Sequence, residues 1–343
     1  MKTNLFSFVA GLALLIVAPL ALASWGGSSA PKPQKDDFRL EGPFTERNLS
    51  VFLIHGKDRV RGETFITLQE ALTQKKVIVR ETREVNELSI ENVSAQEVYV
   101  QSGDIVKGGQ QDRMLAVDLI LPPHSGKIPI SAFCVENGRW SQRGNEAVAV
   151  FNSSSNSVAS RDVKLAARMK ESQGEVWREV AAAQSKLSTN VGGNVQADAS
   201  PTSFQLALEN KDVQANSETY TRALGGLLDS RADVIGYVFA INGKINSADV
   251  YASSALFKKL WPKLLKASAI EAVAELRQGE KFAAPKAAEV RGFLDDSSGV
   301  EKEKDVSSRV QMMTRDGNDK VLFETRDRAK SDAWIHRNYI KKN

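Results

Sequence analysis

Residues 102–140 read SGDIVKGGQQDR, MLAVDLIL, PPHSGK and IPISAFCVENGRW in succession. The first part is rich in glycine and charge, whereas the second and fourth parts are apolar runs typical of β-strands. Pro122-Pro123 and Ser125-Gly126 lie between those runs and predict a turn. We therefore expect Met114–Leu121 and Lys127–Glu136 to pair as a hairpin, with a glycine-rich corner at its far end.

The corner is a candidate binding site. Its glycines permit either a close approach of the backbone to a ligand or simply a tight turn. It is neither a G-x-x-x-x-G-K-[ST] phosphate-binding loop nor a dinucleotide fingerprint, because that order is absent and no helix follows. The density of charge favours a site for a small anionic or polar ligand. Its expected ligand-binding residues are Lys107, Gly108, Gly109, Gln111, Arg113, Arg139 and Trp140.

Arg113 leaves three interpretations of this corner open. Its guanidinium group can hold a carboxylate or a phosphate through two parallel hydrogen bonds. It can equally form a structural ion pair with Asp112 or with Glu136, which the predicted hairpin brings to the same end. Asp112 and Glu136 are also candidate catalytic residues, since acid/base catalysis uses such pairs of carboxylates. Trp140 would then supply an apolar wall or a stacking surface.

The composition limits the class of protein. The chain has 343 residues, a formal charge of +4, 42% hydrophobic residues and 26% charged residues, as in ordinary globular proteins. Its lysines and arginines are scattered, so no nucleic-acid partner is indicated. His55, His124 and His336 lack the spacing of metal ligands, so neither a metal nor a cofactor is predicted.

The N-terminus has the pattern of a secretory signal. Lys2 precedes the apolar run Leu5–Leu20, and Ala21-Leu22-Ala23 then gives a small-x-small cleavage site. A membrane anchor is the alternative, but the run is short for a span. We therefore expect residues 1–23 to be removed, residues 24–37 to be a flexible linker, and the protein to be periplasmic or secreted. No later segment is apolar enough to cross a membrane.

Cys134 is the only cysteine, so the chain cannot form an internal disulfide. Its neighbours Phe133 and Val135 predict a buried small side chain. A catalytic nucleophile is the alternative, although no histidine lies nearby in the sequence to activate it.

Outside the corner, the sequence of the first half predicts an antiparallel β domain with one helix. The sequence after Phe151 predicts mostly helices. Thr67 and Glu70 form a capping-box pattern that begins the first helix. The other predicted strands of the first half are Leu49–His55, Lys76–Glu81, Glu87–Asn92 and Glu97–Gln101. The other predicted segments are a loop at Asn152–Ser157, helices at Ala159–Leu187, Phe204–Asn210 and Ser217–Leu228, and a second loop at Ser188–Pro201.

Asn242-Gly243 predicts a hairpin of Val234–Ile241 with Lys244–Tyr251, and Ser254–Leu276 predicts a long helix after it. The first of these strands is so apolar that we expect burial on both faces. The hairpin should therefore join the sheet of the first half in one folding unit. The predicted class is α+β, mainly an antiparallel sheet with a helical insertion and a C-terminal hairpin–helix packed on it.

Three separated blocks resemble the ARPP domain family: GDIVKGGQQDR, FCVENGRW and VIGYVFAINGKINSADVYASSALFKKLWPKLL. The name refers to ADP-ribosylglycohydrolases and to rhodanese-phosphatase proteins. The resemblance spans roughly Leu49 to Leu276, and it implies one α+β domain over residues 38–277 whose activity is unassigned. Residues 278–343 would be a charged extension with a possible hairpin. Asp249 matches an acidic position after the family's hairpin, where it either joins the site or caps the next helix.

These patterns support three hypotheses of function. The first is an exported domain that binds a small anionic or polar ligand at the corner. The second is a hydrolase that uses Asp112 and Glu136 on a nucleotide-, phosphoester- or glycoside-like substrate. The third is a non-catalytic envelope protein that binds an unknown protein partner through its helical half and its tail.

Overall fold

The computed structural model describes residues 38–60, 65–82, 84–331 and 333–342, together with Met1, and it leaves out the side chains of residues 152–157. Apart from Met1, the predicted signal sequence over residues 1–23 and the predicted linker over residues 24–37 lie outside the described residues. Asp37–Asn343 form one compact unit. Within the described residues, no helix combines the length and the apolar character that crossing a membrane requires.

The unit combines packed helices with sheets whose strands are mostly antiparallel, which confirms the predicted α+β class. The strands are β1 (Arg39–Glu46), β2 (Leu49–His55), β3 (Ile66–Thr67), β4 (Val77–Glu81), β5 (Glu87–Asn92), β6 (Val98–Val100), β7 (Asp104–Gly108), β8 (Arg113–Leu115), β9 (Leu119–Leu121), β10 (Gly126–Cys134), β11 (Val150–Val158), β12 (Val234–Ile241), β13 (Lys244–Tyr251), β14 (Val300–Asp305), β15 (Val310–Asp316), β16 (Lys320–Asp327) and β17 (Ala333–Lys341). The helices are α1 (Leu68–Thr73), α2 (Arg161–Arg168), α3 (Gln173–Val191), α4 (Phe204–Glu209), α5 (Lys211–Leu224), α6 (Ser254–Ala274) and α7 (Ala287–Asp295).

The largest sheet has eight antiparallel strands in the order β1-β2-β12-β13-β17-β16-β15-β14. The β12–β13 hairpin turns at Asn242 and Gly243, whose φ angles of 52° and 75° lie in the left-handed region. β12 is buried over its whole length, pairs with β2 and packs against α6. The hairpin therefore joins a strand of the first half, as predicted.

Six strands close into a barrel in the order β10-β5-β4-β11-β7-β8. β10 pairs with β5 and then with β8, where Cys134 lies opposite Arg113. The prediction of one strand over Met114–Leu121 is wrong, because the chain leaves the barrel after Leu115. β9 belongs to a separate sheet, β3-β6-β9, and the intervening Asp118 turns inward to accept a hydrogen bond from the Ser102 backbone N–H at 2.7 Å.

The helical insertion lies between β11 and β12. The single helix predicted over Ala159–Leu187 is wrong, because the chain breaks between α2 and α3. Glu171 has a φ of 46° there, and the Ser172 hydroxyl caps α3 by accepting a hydrogen bond from the Glu175 N–H at 3.3 Å. The capping box at Thr67 is confirmed at the start of α1.

Two further predictions are corrected by the sheets. The predicted loop at Asn152–Ser157 lies within β11, which pairs with β4 and β7. The residues after Leu276 do not form an extension outside the domain, because they supply α7 and four strands of the eight-stranded sheet. The sequence did not predict all of these strands, because the segment is highly charged. β14, for example, is an edge strand whose residues are all exposed.

Candidate functional site

The glycine-rich corner connects β7 to β8 at one end of the barrel. Gly108 and Gly109 have φ angles of +114° and +58°, which favour glycine. A Cβ atom on Gly109 would lie 2.5 Å from Cζ of Phe151 and 2.6 Å from Oε1 of Glu81. The turn is therefore tightly packed, and it directs the Gly108 N–H to Oδ1 of Asp112 at 2.9 Å.

Asp112 is fully buried, and both of its carboxylate oxygens already accept hydrogen bonds. Arg143 donates from Nη1 to Oδ2 and from Nη2 to Oδ1, each at 2.8 Å. The Ser203 hydroxyl also donates to Oδ2, at 2.7 Å. Both oxygens of Asp112 are therefore occupied by donors within the protein, which indicates a structural role.

Glu136 is also fully buried and lies beside Asp112. Arg139 donates from Nε to Oε1 at 2.6 Å and from Nη2 to Oε2 at 2.8 Å. Oε2 also accepts the backbone N–H of Asp112 at 2.8 Å, and Oε1 accepts the Ser200 hydroxyl. Arg143 Nη1 lies 3.4 Å from Oε1, so two carboxylates and two guanidinium groups form one buried network. Arg143 also pairs with Glu146, a third and partly exposed carboxylate, at 2.8 Å.

The arginines of this corner network also use their remaining donors internally. Arg139 donates to the carbonyl oxygens of Gly108 and Gly109 at 3.1 and 3.0 Å. Burial opposes the charged form of Arg143, yet its carboxylate partners, above all Asp112, raise its pKa above the ordinary value. The network therefore ties the end of β10 and the loop after it to the glycine-rich turn.

Arg113 does not join the corner network. It is buried, donates from Nη2 to Oε2 of Glu81 at 3.2 Å, and donates from Nη1 to the carbonyl oxygen of Val85. Of the alternatives for Arg113, a structural pair with Asp112 or Glu136 is therefore wrong. The physical reason is that Glu81 and the Val85 carbonyl occupy the guanidinium group of Arg113, whereas Arg143 and Arg139 occupy the two carboxylates.

Three other predicted site residues also lie apart from the corner network. Lys107 pairs with Glu209, with Nζ 2.6 Å from Oε2. Trp140 is 54% exposed, whereas Gln111 is fully buried. Neither polar atom of the Gln111 side chain has a hydrogen-bond partner among the described residues. The structure thus brings together Gly108, Gly109, Asp112, Glu136 and Arg139 from the predicted set.

Cys134 is buried on β10, as predicted. Burial raises the pKa of its thiol to about 11. A thiol with such a pKa stays protonated near neutral pH, and the thiolate is the nucleophilic form. Cys134 therefore lacks the activation that a catalytic cysteine needs.

Asp249 lies in a second buried cluster, which we call the histidine cluster: Asp118, Asp249, Tyr251, His336 and Asn338. His336 Nδ1 donates to Oδ2 of Asp118 at 2.8 Å, and its Nε2 donates to Oδ1 of Asp249 at 3.0 Å. Asn338 donates to the same oxygen of Asp249 at 2.8 Å. The His336 ring stacks on Tyr251, with centroids 4.4 Å apart. Asp249 therefore contacts the last strand, and its expected approach to the corner is not observed.

The charges of the histidine cluster support one another. Burial alone would lower the pKa of His336, but the carboxylates of Asp118 and Asp249 raise it to about 9. Burial would raise the pKa of Asp118, but His336 holds it well below its usual range. Hydrogen bonds from both ring nitrogens to carboxylates fit an imidazolium, in which both nitrogens donate.

Arg168, at the end of α2, connects the histidine cluster to a surface cleft. Its Nη1 donates to Oδ1 of Asn338 at 3.0 Å, and its Cζ lies 3.6 Å from the centroid of the Phe323 ring. Its Nε has no hydrogen-bond partner among the described residues. Burial lowers the pKa of Arg168 to about 10.

The cleft beside Arg168 is open to solvent and lies where the barrel meets α2 and the β14–β15 hairpin. We call it the Arg168 cleft. Its other polar lining residues are Asn86, Ser131, Glu171 and Lys304, and its apolar wall includes Ala116, Val117 and Phe133. The 102–140 stretch therefore does line a cleft, but through residues that the sequence did not single out.

Sequence reasoning missed Asp118, Arg143, Arg168 and the role of His336. Asp118 carried a usable signal, because it is the one charged residue in the run MLAVDLIL, and a buried charge requires a partner. The other three gave no local signal. Within the described residues, no group of three or more His, Cys, Asp or Glu side chains is placed to hold a metal ion.

Comparison with protein families matches residues 37–340 to ARPP-1, the ARG and Rhodanese-Phosphatase-superfamily-associated Protein domain. No curated protein and no solved structure matches the chain. The family match continues past Leu276, where the resemblance was expected to end, and reaches into β17. Because the match covers nearly the whole chain, this protein belongs to the ARPP family.

Proposed function

We propose that this ARPP domain binds a small anionic ligand in the Arg168 cleft. The proposal keeps the ligand class expected from the sequence and moves the site away from the glycine-rich corner. One observation carries it: Arg168 is a buried guanidinium group beside open space, and in the described part of the chain no carboxylate lies within ion-pair distance of it.

Buried cations normally contact an anion, because removing a charge from water is costly. The direct neighbours of Arg168 are the Asn338 amide, the Met312 sulfur at 3.8 Å and the Phe323 ring, and none of them carries a negative charge. Asp118 and Asp249 act on Arg168 only from a distance. A bound anion would supply the missing contact and favour the charged form of Arg168.

The rest of the Arg168 cleft suits the same ligand class. Lys304 lies at the rim, where its Nζ is 4.0 Å from Oε1 of Glu171, so this exposed pair is neutral and Arg168 gives the cleft its net positive charge. Asn86 and Ser131 add an amide and a hydroxyl group as hydrogen-bond donors. Arginine recognises planar carboxylates and phosphates through paired hydrogen bonds. The family description refers to a phosphatase superfamily, which makes phosphate-bearing ligands the first candidates.

The glycine-rich corner would then contribute indirectly. Its network of Asp112, Glu136, Arg139 and Arg143 fixes the ends of β8 and β10. The residues that follow β8, together with Ser131 and Phe133 on β10, line the Arg168 cleft. The corner therefore holds one wall of the proposed site in place.

Isothermal titration calorimetry with inorganic phosphate, pyrophosphate and ADP-ribose tests the proposal. Arg168→Gln should weaken binding by about tenfold or more, since it removes a charged hydrogen-bond donor. Lys304→Gln, at an exposed position, should weaken binding less. Arg113→Gln is the matched control, because Arg113 is also a buried arginine but pairs with Glu81 outside the cleft; its folded form should bind like the unchanged protein.

Circular dichroism of each variant separates loss of binding from loss of fold. If Arg168→Gln does not fold, Ser131→Trp replaces it, because Ser131 is exposed on β10 and a large ring there would fill the cleft. That change should abolish binding. Unchanged affinity in Ser131→Trp and Lys304→Gln, or no binding of any of the three anions, would overturn the proposal.

A further inference from the structure

A second cavity lies in the helical layer, separate from the Arg168 cleft. It is a narrow space between α3, α4 and α6, and the residues from the end of β11 to the start of α2 complete its wall. Much of this wall is apolar, formed by Val158, Ala183, Leu187, Phe204, Leu208 and Ile270. We call this space the helical cavity. Such a wall suits the apolar part of a small molecule.

Four carboxylates also line the helical cavity, and three of them have a basic partner. The pairs are Arg161 Nε with Asp162 at 2.8 Å, Arg178 Nη2 with Glu179 at 3.1 Å, and Lys186 Nζ with Glu275 at 2.5 Å. The fourth carboxylate, Glu271 on α6, differs from these.

Glu271 accepts only neutral donors. Its Oε1 accepts a hydrogen bond from Nδ2 of Asn246 at 2.8 Å, and its Oε2 accepts one from the backbone N–H of Arg161 at 3.2 Å. In the described part of the chain, no basic side chain lies within ion-pair distance of this carboxylate. Burial raises the pKa of Glu271, which is the expected response of a desolvated carboxylate without a direct counter-charge.

We propose that the helical cavity binds a small organic cation whose ammonium group contacts Glu271 and whose apolar body packs on Leu187, Phe204 and Ile270. The charges of the cavity favour this class of ligand. Lys186 is the one basic side chain among the described residues that line it, and Glu275 already pairs with it. An anion would meet four carboxylates, whereas a neutral apolar molecule would leave Glu271 without a counter-charge.

The proposal is independent of the anion site, because the helical cavity and the Arg168 cleft share no lining residue. Their tests are therefore separate. Binding of phosphate without binding of an amine would support the proposed function and contradict this second site. Binding of an amine without binding of phosphate would do the opposite.

The test compares three ligands that differ only at the polar end: 2-phenylethylammonium, 2-phenylethanol and phenylacetate. Isothermal titration calorimetry on the full chain should show the ammonium compound binding about tenfold or more tightly than the alcohol, and no binding of the carboxylate. Glu271→Gln should remove the preference for the ammonium compound, since glutamine keeps the acceptor for Asn246 but not the charge. Glu179→Gln is the matched control, because Glu179 lines the same cavity and already has Arg178 as its partner; it should keep the preference.

Ala183→Phe provides a second test that does not depend on charge. Ala183 is a partly buried residue of α3 that lines the helical cavity, so the larger ring should exclude all three compounds. Equal affinity for the ammonium compound and the alcohol would overturn the role of Glu271. The absence of any binding to the unchanged protein would show that the helical cavity is a packing space, and it would overturn the proposal as a whole.

Discussion

Asp112 and Arg143 form a two-point ion pair that is closed to solvent. The two terminal nitrogens of Arg143 donate to the two carboxylate oxygens of Asp112, each at 2.8 Å, across 31 residues of chain. The pair fastens the loop after β10 onto the glycine-rich turn. It also shows why a charged, glycine-rich stretch need not be an open binding site: here the opposite charges satisfy one another.

Arg143→Met should therefore destabilise the protein strongly. The change leaves the carboxylate of Asp112 buried without its main partner, and breaking a buried ion pair in this way costs about 3–5 kcal/mol. Urea denaturation followed by circular dichroism would measure the loss. Arg178→Met is the control, because Arg178 is an exposed arginine whose ion pairs lie on the surface, and it should change stability little. Similar small effects of both changes would contradict a structural role for the corner network.

Glu136→Gln tests the hydrolase hypothesis. The oxygens of Glu136 already accept hydrogen bonds from Arg139, Ser200 and the Asp112 backbone, so we expect this residue to take no proton from a substrate. Any hydrolysis of phosphoesters, ADP-ribose derivatives or glycosides by the purified protein should persist in the folded variant, with lower thermal stability. Selective loss of turnover at unchanged stability would instead support a catalytic Glu136.

Stability should fall at alkaline pH because of His336. Its pKa is raised from 6.5 to about 9 in the folded protein, so its stabilising effect is complete below pH 6.5 and is lost as the pH rises through 9. The loss should approach about 3.5 kcal/mol, at about 1.4 kcal/mol per unit of pKa. Lys320 acts in the opposite direction above pH 8, because burial lowers its pKa to about 8.

Denaturation curves from pH 6 to pH 10 for the unchanged protein and for His336→Gln separate the two groups. Lys320 is present in both proteins, so its effect cancels in the difference between their unfolding free energies. This difference should shrink as the pH rises, because His336 loses its proton. A difference that does not vary with pH would show that His336 is not charged in the folded state.

Limited proteolysis tests whether the fold is one unit. The segment between Gly192 and Pro201 is largely exposed, so a protease should cut there first. Both fragments contribute strands to the eight-stranded sheet, so they should remain associated and unfold in one calorimetric transition. Fragments that separate on a sizing column without denaturant would contradict a single folding unit.

Export is also open to a direct measurement. The sequence predicts cleavage after Ala23, so mass spectrometry of the protein recovered outside the cytoplasm should show a chain that begins at Ser24. Replacing Ala21 and Ala23 with bulky residues should leave the longer form. Recovery of the uncleaved chain from the cytoplasm alone would contradict the export that the sequence predicts.

Local patterns in the sequence predicted local structure well. The capping box at Thr67, the strand Leu49–His55 and the turn at Asn242-Gly243 each depend on residues that are neighbours in the chain. Burial of Cys134 followed from its apolar neighbours for the same reason. Such features give the class of fold and the position of the main hairpin.

Long-range partners could not be predicted in this way. Asp249 contacts His336, which lies 87 residues further along the chain. Arg113 contacts Glu81 because β4 and β8 belong to the same barrel. Several carboxylates were equally available to Arg113 in the sequence, and only strand direction and register decide among them. The charged segment around β14 gave no apolar alternation, because an exposed edge strand does not need one.

The position of β17 has a consequence for the order in which the protein is made. Residues 333–341 lie between β13 and β16, so each of these strands lacks one of its two partners until this late part of the chain has left the ribosome. Until then, Asp118 and Asp249 also lack His336, and two strand edges stay open to incorrect pairing. The large sheet should therefore close only after translation has passed β17. A ribosome that stalls earlier would release a polypeptide whose open strand edges favour aggregation.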